Sequence, residues 1–265
     1  MNLVRICITA ITLFVVPSFS FSQPKPIGKT TPPPTRQQQL MHAVIQDQLE
    51  VVRTLLAQGG DPNARSAFAA EDKWMLDNLP GSDPAPPLIV LACRFMSIKG
   101  PDIIRMLLDK GGNVNITDKY GVTPLMVASQ LGGAVPLLLE HSADVNAADK
   151  NGVTPLMYSM NNRGEGTAAQ LLAHGAKINA RNSGGQTALM LAISNARHDP
   201  VMLYGEDLTK KAETETISYH ELVSFLISSR ADVNVRDNRG GTPLSIARAN
   251  GDPDVVGMLQ AAGAK

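Results

Sequence analysis

Between residues 37 and 265 the hydrophobic positions recur as pairs of short clusters separated by polar turns, and the pairs themselves recur. Residues 147–179 hold one full unit. Residues 149–152 form a polar turn. Thr154-Pro155-Leu156 then opens a helix, with threonine near the cap and proline in the first turn, where a missing N–H leaves no bond unmade. Beyond Gly164 and Gly166 a second helix carries Ala168, Ala169, Leu171 and Leu172 on one face. Gly175 falls where the residue after a helix takes positive φ. Neither helix can bury its apolar face alone, so the unit must stack on copies of itself.

The copies align on the last hydrophobic pair and the asparagine that closes each unit. Leu55-Leu56 leads to Gly59 and Asn63, and Leu107-Leu108 to Gly111 and Asn115. Leu138-Leu139 leads to Ser142 and Asn146, and Leu226-Ile227 to Arg230 and Asn234. The sequence reaches Gly263-Ala264-Lys265 in the same phase, and Asn146 to Asn179 and Arg230 to Gly263 are both separations of 33 residues. This pattern resembles the ankyrin repeat. The threonine-proline-leucine helix start of that family is matched at Thr123-Pro124-Leu125, Thr154-Pro155-Leu156 and Thr242-Pro243-Leu244, and more loosely at Thr187-Ala188-Leu189. The resemblance covers residues 37–265 and implies an all-α solenoid of about six helix-turn-helix repeats with hairpin loops. Their expected bounds are about 37–65, 86–118, 121–149, 152–182, 185–237 and 240–265. Ser142 and Arg230 stand where glycine would fit best, and if left-handed each weakens its unit by on the order of 1 kcal/mol.

Five stretches depart from the repeat. Residues 1–22 have Arg5, an apolar run over 6–16, Pro17 and then small residues, the layout of a secretory signal cleaved after Ser20 or Ser22. Residues 23–36, rich in proline, should form an extended tether without packed structure, and the first repeat, which lacks a threonine-proline start, opens at residues 37–39. A loop insertion at 66–85 carries Trp74, the only tryptophan, beside Met75, Leu76 and Leu79. It can form a short amphipathic helix, with Trp74 either folded back over its own repeats or serving as an aromatic anchor for a partner. About four extra residues fall near 97–101. A second insertion, 197–218, lies between the two helices of its repeat and forms an excursion at one end of them, either a tolerated insertion or a binding element.

Charge narrows the function classes. Loss of Arg5 takes one from 24 basic side chains set against 24 acidic ones, so the exported chain is close to neutral and has no overall electrostatic footprint for nucleic acid or an anionic membrane. Cys7 leaves with the signal. Cys93 then stands alone, so no internal disulfide forms even in an oxidising compartment, and a periplasmic or secreted location fits. No segment after the signal is apolar enough to span a membrane.

Candidate chemistry is sparse. His220-Glu221 begins like a zinc-protease helix, but Ser224 occupies the place of the second histidine, and Gly28-Lys29-Thr30 lacks the earlier glycine of a phosphate loop. His141 and His174 sit at helix ends, where the resemblance implies a structural role. Asn115-Ile116-Thr117 fits a glycosylation acceptor, yet Asn115 is also one of the recurring loop asparagines. No cofactor and no metal are expected.

The family it resembles binds other proteins with its hairpin tips and the concave face of its first helices. Carried onto this sequence, the tips supply Asp118, Lys119 and Tyr120; Asp149, Lys150 and Asn151; Arg181, Asn182 and Ser183; and Arg236, Asp237, Asn238 and Arg239. First helices add Gln130, Tyr158, Asn161 and Ser194, and Trp74 is a further candidate. This mixture of charge, amide and tyrosine suits a polar, orientation-specific interface with a protein partner. The expectation is a monomeric, non-catalytic interaction module. Two alternatives remain: a dedicated inhibitor, immunity or protective factor for one envelope or secreted enzyme, and an enzyme whose site lies in the insertions, using His198, Asp199, Glu206 or His220.

Overall fold

A computed structural model describes residues 34–65, 83, 85–95, 100–162, 165–195 and 219–265. The signal, nearly all of the tether, Trp74 with most of its loop, most of the extra residues near 97–101 and the insertion at 197–218 lie outside the described residues. Those that are described form twelve α-helices and no strand. They are α1 (Arg36–Ile45), α2 (Leu49–Ala57), α3 (Leu88–Arg94), α4 (Gly100–Asp109), α5 (Pro124–Leu131) and α6 (Val135–Glu140), then α7 (Pro155–Ser159), α8 (Glu165–Ala173), α9 (Ala188–Asn195), α10 (Tyr219–Ser228), α11 (Pro243–Asn250) and α12 (Pro253–Ala261). Consecutive helices pair, and the first helix of each pair packs on the first helix of the next.

That position explains their composition. A first helix has neighbours on both sides as well as its own partner behind it, so apolar residues surround it. In α3 every residue from Leu88 to Cys93 is buried, and in α5 every residue from Pro124 to Ser129. Second helices cover only one side and are amphipathic. In α4, Ile103, Ile104, Leu107 and Leu108 face inward while Asp102, Arg105 and Asp109 face water. Cys93 is fully buried, as the sequence suggested, and burial pushes its thiol up to about 12.

Local chemistry starts the helices where the threonines indicated. Thr123, Thr154, Thr187 and Thr242 are buried, and each side-chain oxygen accepts from the backbone N–H three residues on. One start differs from expectation. Helix α1 begins at Arg36 and is capped by Thr35, whose hydroxyl accepts from the Gln38 N–H while the Gln38 side chain reaches back to the Thr35 N–H at 2.8 Å. The pattern hides this cap because Pro34 precedes Thr35, whereas proline follows Thr123, Thr154 and Thr242.

The pairs are tied together by the loop asparagines. The Asn146 amide donates to the Gly175 carbonyl at 3.0 Å, and its oxygen accepts from the Lys177 N–H at 2.8 Å. Asn63, Asn115, Asn179 and Asn234 repeat this clamp on Gly111, Ser142, Arg230 and Gly263. The gripped carbonyl always belongs to a residue with positive φ just past a second helix, and Ser142 and Arg230 do adopt it at φ 64° and 70°. Asn115 is thus a structural residue. Two junctions carry an additional strap. Arg65 and Arg181, each two residues beyond a clamping asparagine, donate to the carbonyls of Thr117 and Arg236 at 2.8 and 2.7 Å. These are the junctions across which the two insertions lie.

Replacing Ser142 or Arg230 with glycine relieves the left-handed penalty and should raise unfolding free energy by about 0.5–1 kcal/mol each, read from urea midpoints. The Ser129 hydroxyl is buried and finds no hydrogen-bond partner among the described residues. Ser129→Ala should therefore be neutral to stabilising by about 1 kcal/mol in the same measurement, whereas a clear loss would reveal an unseen partner.

Candidate functional site

Each hairpin tip is built around one short polar side chain. The Asp118 carboxylate accepts from the N–H groups of Tyr120 and Val122 at 2.8 and 2.9 Å. Asp149 does the same for Asn151 and Val153, Asn182 for Gly184 and Gln186, and Asp237 for Arg239 and Gly241. Neighbouring tips are then joined backbone to backbone. Lys150 N–H donates to the Tyr120 carbonyl, Ser183 N–H to that of Asn151, and Asn238 N–H to that of Gly184, all at 2.8–2.9 Å. The approach is close enough that a Cβ on Gly152 would lie 3.2 Å from backbone atoms of Asn182 and Ser183. At the first tip a side chain replaces the missing carbonyl: Asp83, buried, accepts from the Lys119 N–H at 2.7 Å and lies 3.3 Å from the Arg65 guanidinium.

This construction divides the expected binding residues. Asp118 and Asp149 are buried and Asn182 and Asp237 half-buried, so the acidic and amide residues at these places hold the turns together and are not free for a partner. The sequence shows only that they are polar and in a loop; the Asx geometry that turns them inward appears with the backbone. Ser183 and Asn238 are exposed but tied to the neighbouring tip, through Ser183 Oγ to the Asn151 carbonyl and Asn238 Nδ2 to the Ser183 carbonyl. Lys119, Tyr120, Lys150, Asn151, Arg181, Arg236 and Arg239 are left exposed along the edge, with the Lys119 ammonium 4.7 Å from the centre of the Tyr120 ring. Of the first-helix candidates, Gln130, Tyr158 and Ser194 are half-buried. Asn161 is exposed and its oxygen accepts from Asn195 Nδ2 at 2.9 Å. Trp74 lies outside the described residues. Asp83 and Arg65 escaped sequence reasoning, because nothing in the pattern distinguishes them from other loop charges.

A family profile of three ankyrin repeats matches residues 89–182, and a single ankyrin repeat matches residues 40–67. The chain is an ankyrin-repeat protein. No curated protein matches it. Ankyrin repeats form protein-interaction modules, and the helix pairs and joined tips of this chain make one.

The remaining polar clusters of this ankyrin domain are structural in geometry. Nδ1 of His141 and of His174 lies 2.9 Å from the carbonyl four residues back, closing the helix end. His220, Asp252 and Asp254 offer ligand atoms within 4.8 Å of one another. Yet Asp252 caps α12, one oxygen accepting from the N–H groups of Asp254 and Val255 and the other from the Tyr219 hydroxyl, with His220 Nε2 at 3.1 Å. A cation there would face the positive end of the helix. The cluster works as a joint between α10 and α12. No helix among the described residues is long and apolar enough to cross a membrane.

The Tyr158 hydroxyl donates to the second Asp149 oxygen at 3.0 Å, linking α7 to its own tip. Burial, then the Asp149 charge and this hydrogen bond, hold that phenol above the usual tyrosine range. The neutral phenol is therefore favoured in the folded state. Its contribution is complete below the ordinary tyrosine pKa of about 10 and is lost as pH rises beyond it. Tyr158→Phe should lose less stability than the parent between pH 8 and pH values above about 10, compared by urea unfolding. Equal alkaline losses would remove Tyr158 as the source.

Proposed function

We propose that this protein is a non-catalytic binding module of the cell envelope or exported space, holding one protein partner with its hairpin tips and the adjacent concave face of its first helices. The observation that carries this reading is the tip edge. A backbone hydrogen bond joins each tip to the next, while Lys119, Tyr120, Lys150, Asn151 and Arg239 extend from the edge into water. Such an edge is ordered before any partner arrives, so little conformational entropy is lost on binding. Export rests on the signal layout of residues 1–22.

The test is capture from the source's envelope fraction with residues 23–265 as bait, identification by mass spectrometry, and repetition with a Tyr120→Ala, Asn151→Ala, Arg239→Ala variant. One partner at near-equal amount, reduced at least about tenfold by the variant with circular dichroism unchanged, is expected. Equal capture by the variant would move the site off the tips. Export is tested apart from binding: the mature protein should begin at Phe21 or Gln23 by amino-terminal sequencing, and retention of Met1 would rule out a cleaved signal.

A further inference from the structure

The chain as a whole is neutral, but its charges are not evenly distributed over depth at the tips. Lys119, Lys150, Arg181, Arg236 and Arg239 are all exposed there. Within the turns themselves the acidic residues point inward: Asp118 is 6% and Asp149 9% exposed, Asp237 is half-buried, and the third tip has the uncharged Asn182 in that place, whereas the exposed Asp144 and Asp232 stand five residues earlier, at the start of their loops. Each of these carboxylates accepts two backbone N–H groups of its own loop. Among the described residues none of the five cations forms an ion pair; the hydrogen bonds of Arg181 and Arg236 go to neutral carbonyls. The outermost layer of the edge is therefore cationic, with the exposed Tyr120 ring beside Lys119 at one end.

Resting on the binding-module reading, we propose that the partner presents an extended acidic segment that lies along the four tips. Spacing supports a linear ligand. Stacked helices follow one another at about 8–10 Å, so four tips span about 24–30 Å. An extended chain rises about 3.3 Å per residue and would meet a new tip roughly every third residue. Carboxylates at that interval would each face a cation, while Tyr120 offers a flat apolar surface at the end of the row. The exposed lysines and arginines also attract such a segment from a distance, over a range set by the Debye length of about 8 Å at physiological salt.

The probe is a fluorescent peptide of about ten residues with glutamate at every third position among glycine and serine, read by anisotropy with mature residues 23–265 at about 50 mM salt. The glutamine version of the peptide and an oligonucleotide of equal charge are run beside it. The glutamate peptide should bind more tightly than the glutamine peptide and weaken as salt rises. The Lys119→Glu, Lys150→Glu, Arg239→Glu variant should lose at least about tenfold, and the corresponding glutamine variant should fall between. None of these three side chains holds a neighbouring tip, and circular dichroism checks that the variants fold. No binding of the glutamate peptide, equal binding by the charge-reversed variant, or preference for the oligonucleotide would each overturn the proposal. Capture of an envelope partner by the charge-reversed variant as well as by the parent would overturn it while leaving the binding module intact.

Discussion

Every pair of helices in this protein is held to the next by one asparagine that fills both hydrogen-bonding roles at once. Its amide takes the carbonyl left free at the helix end, and its oxygen takes the N–H two residues further on. A helix terminus leaves such carbonyls without an intrahelical partner, so the stack gains where an isolated pair would depend on water. The left-handed residue that turns the chain after each second helix sets the carbonyl in reach of the asparagine. Register between repeats therefore rests on a polar clamp, and apolar packing supplies most of the driving force without itself fixing the register.

The same division of labour runs through the tips. An inward carboxylate or amide organises each turn, neighbouring turns share backbone hydrogen bonds, and Asp83 substitutes its carboxylate for a peptide carbonyl at the end of the row. Once the polar groups near the backbone are committed to the turns, the longer side chains beside them have no structural duty. That is why the edge displays lysine, arginine and tyrosine. Arg181 and Arg236 are the exceptions: Arg236 also bonds the Gly240 carbonyl of its own turn, and Arg181 straps the tip behind it to the next repeat.

The helical architecture could be read from the sequence because threonine-proline starts and capping glycines recur, and each signals one local event. Even the irregular positions Ser142 and Arg230 took the expected conformation, since the phase of the repeat overrides the preference of a single residue. The site was less legible. Asp118 and Lys119 are adjacent, polar and in the same loop, yet one is buried and the other exposed. Only the backbone path distinguishes them. Long-range partners such as Arg65 with Thr117 leave no local trace either, because their meeting depends on stacking across an insertion.

The clamps also differ in how much chain they close. Asn115, Asn146 and Asn234 reach carbonyls 27 to 29 positions away, whereas Asn63 reaches across 48 and Asn179 across 51. Closure entropy grows only with the logarithm of length, so the longer loops cost about 0.5 kcal/mol more each. A single additional hydrogen bond of about 1 kcal/mol is enough to offset that, and the straps from Arg65 and Arg181 occur at those two closures. Chain length between repeats is thus nearly free to vary at these two places, so long as the asparagine at one end and the left-handed residue at the other still meet.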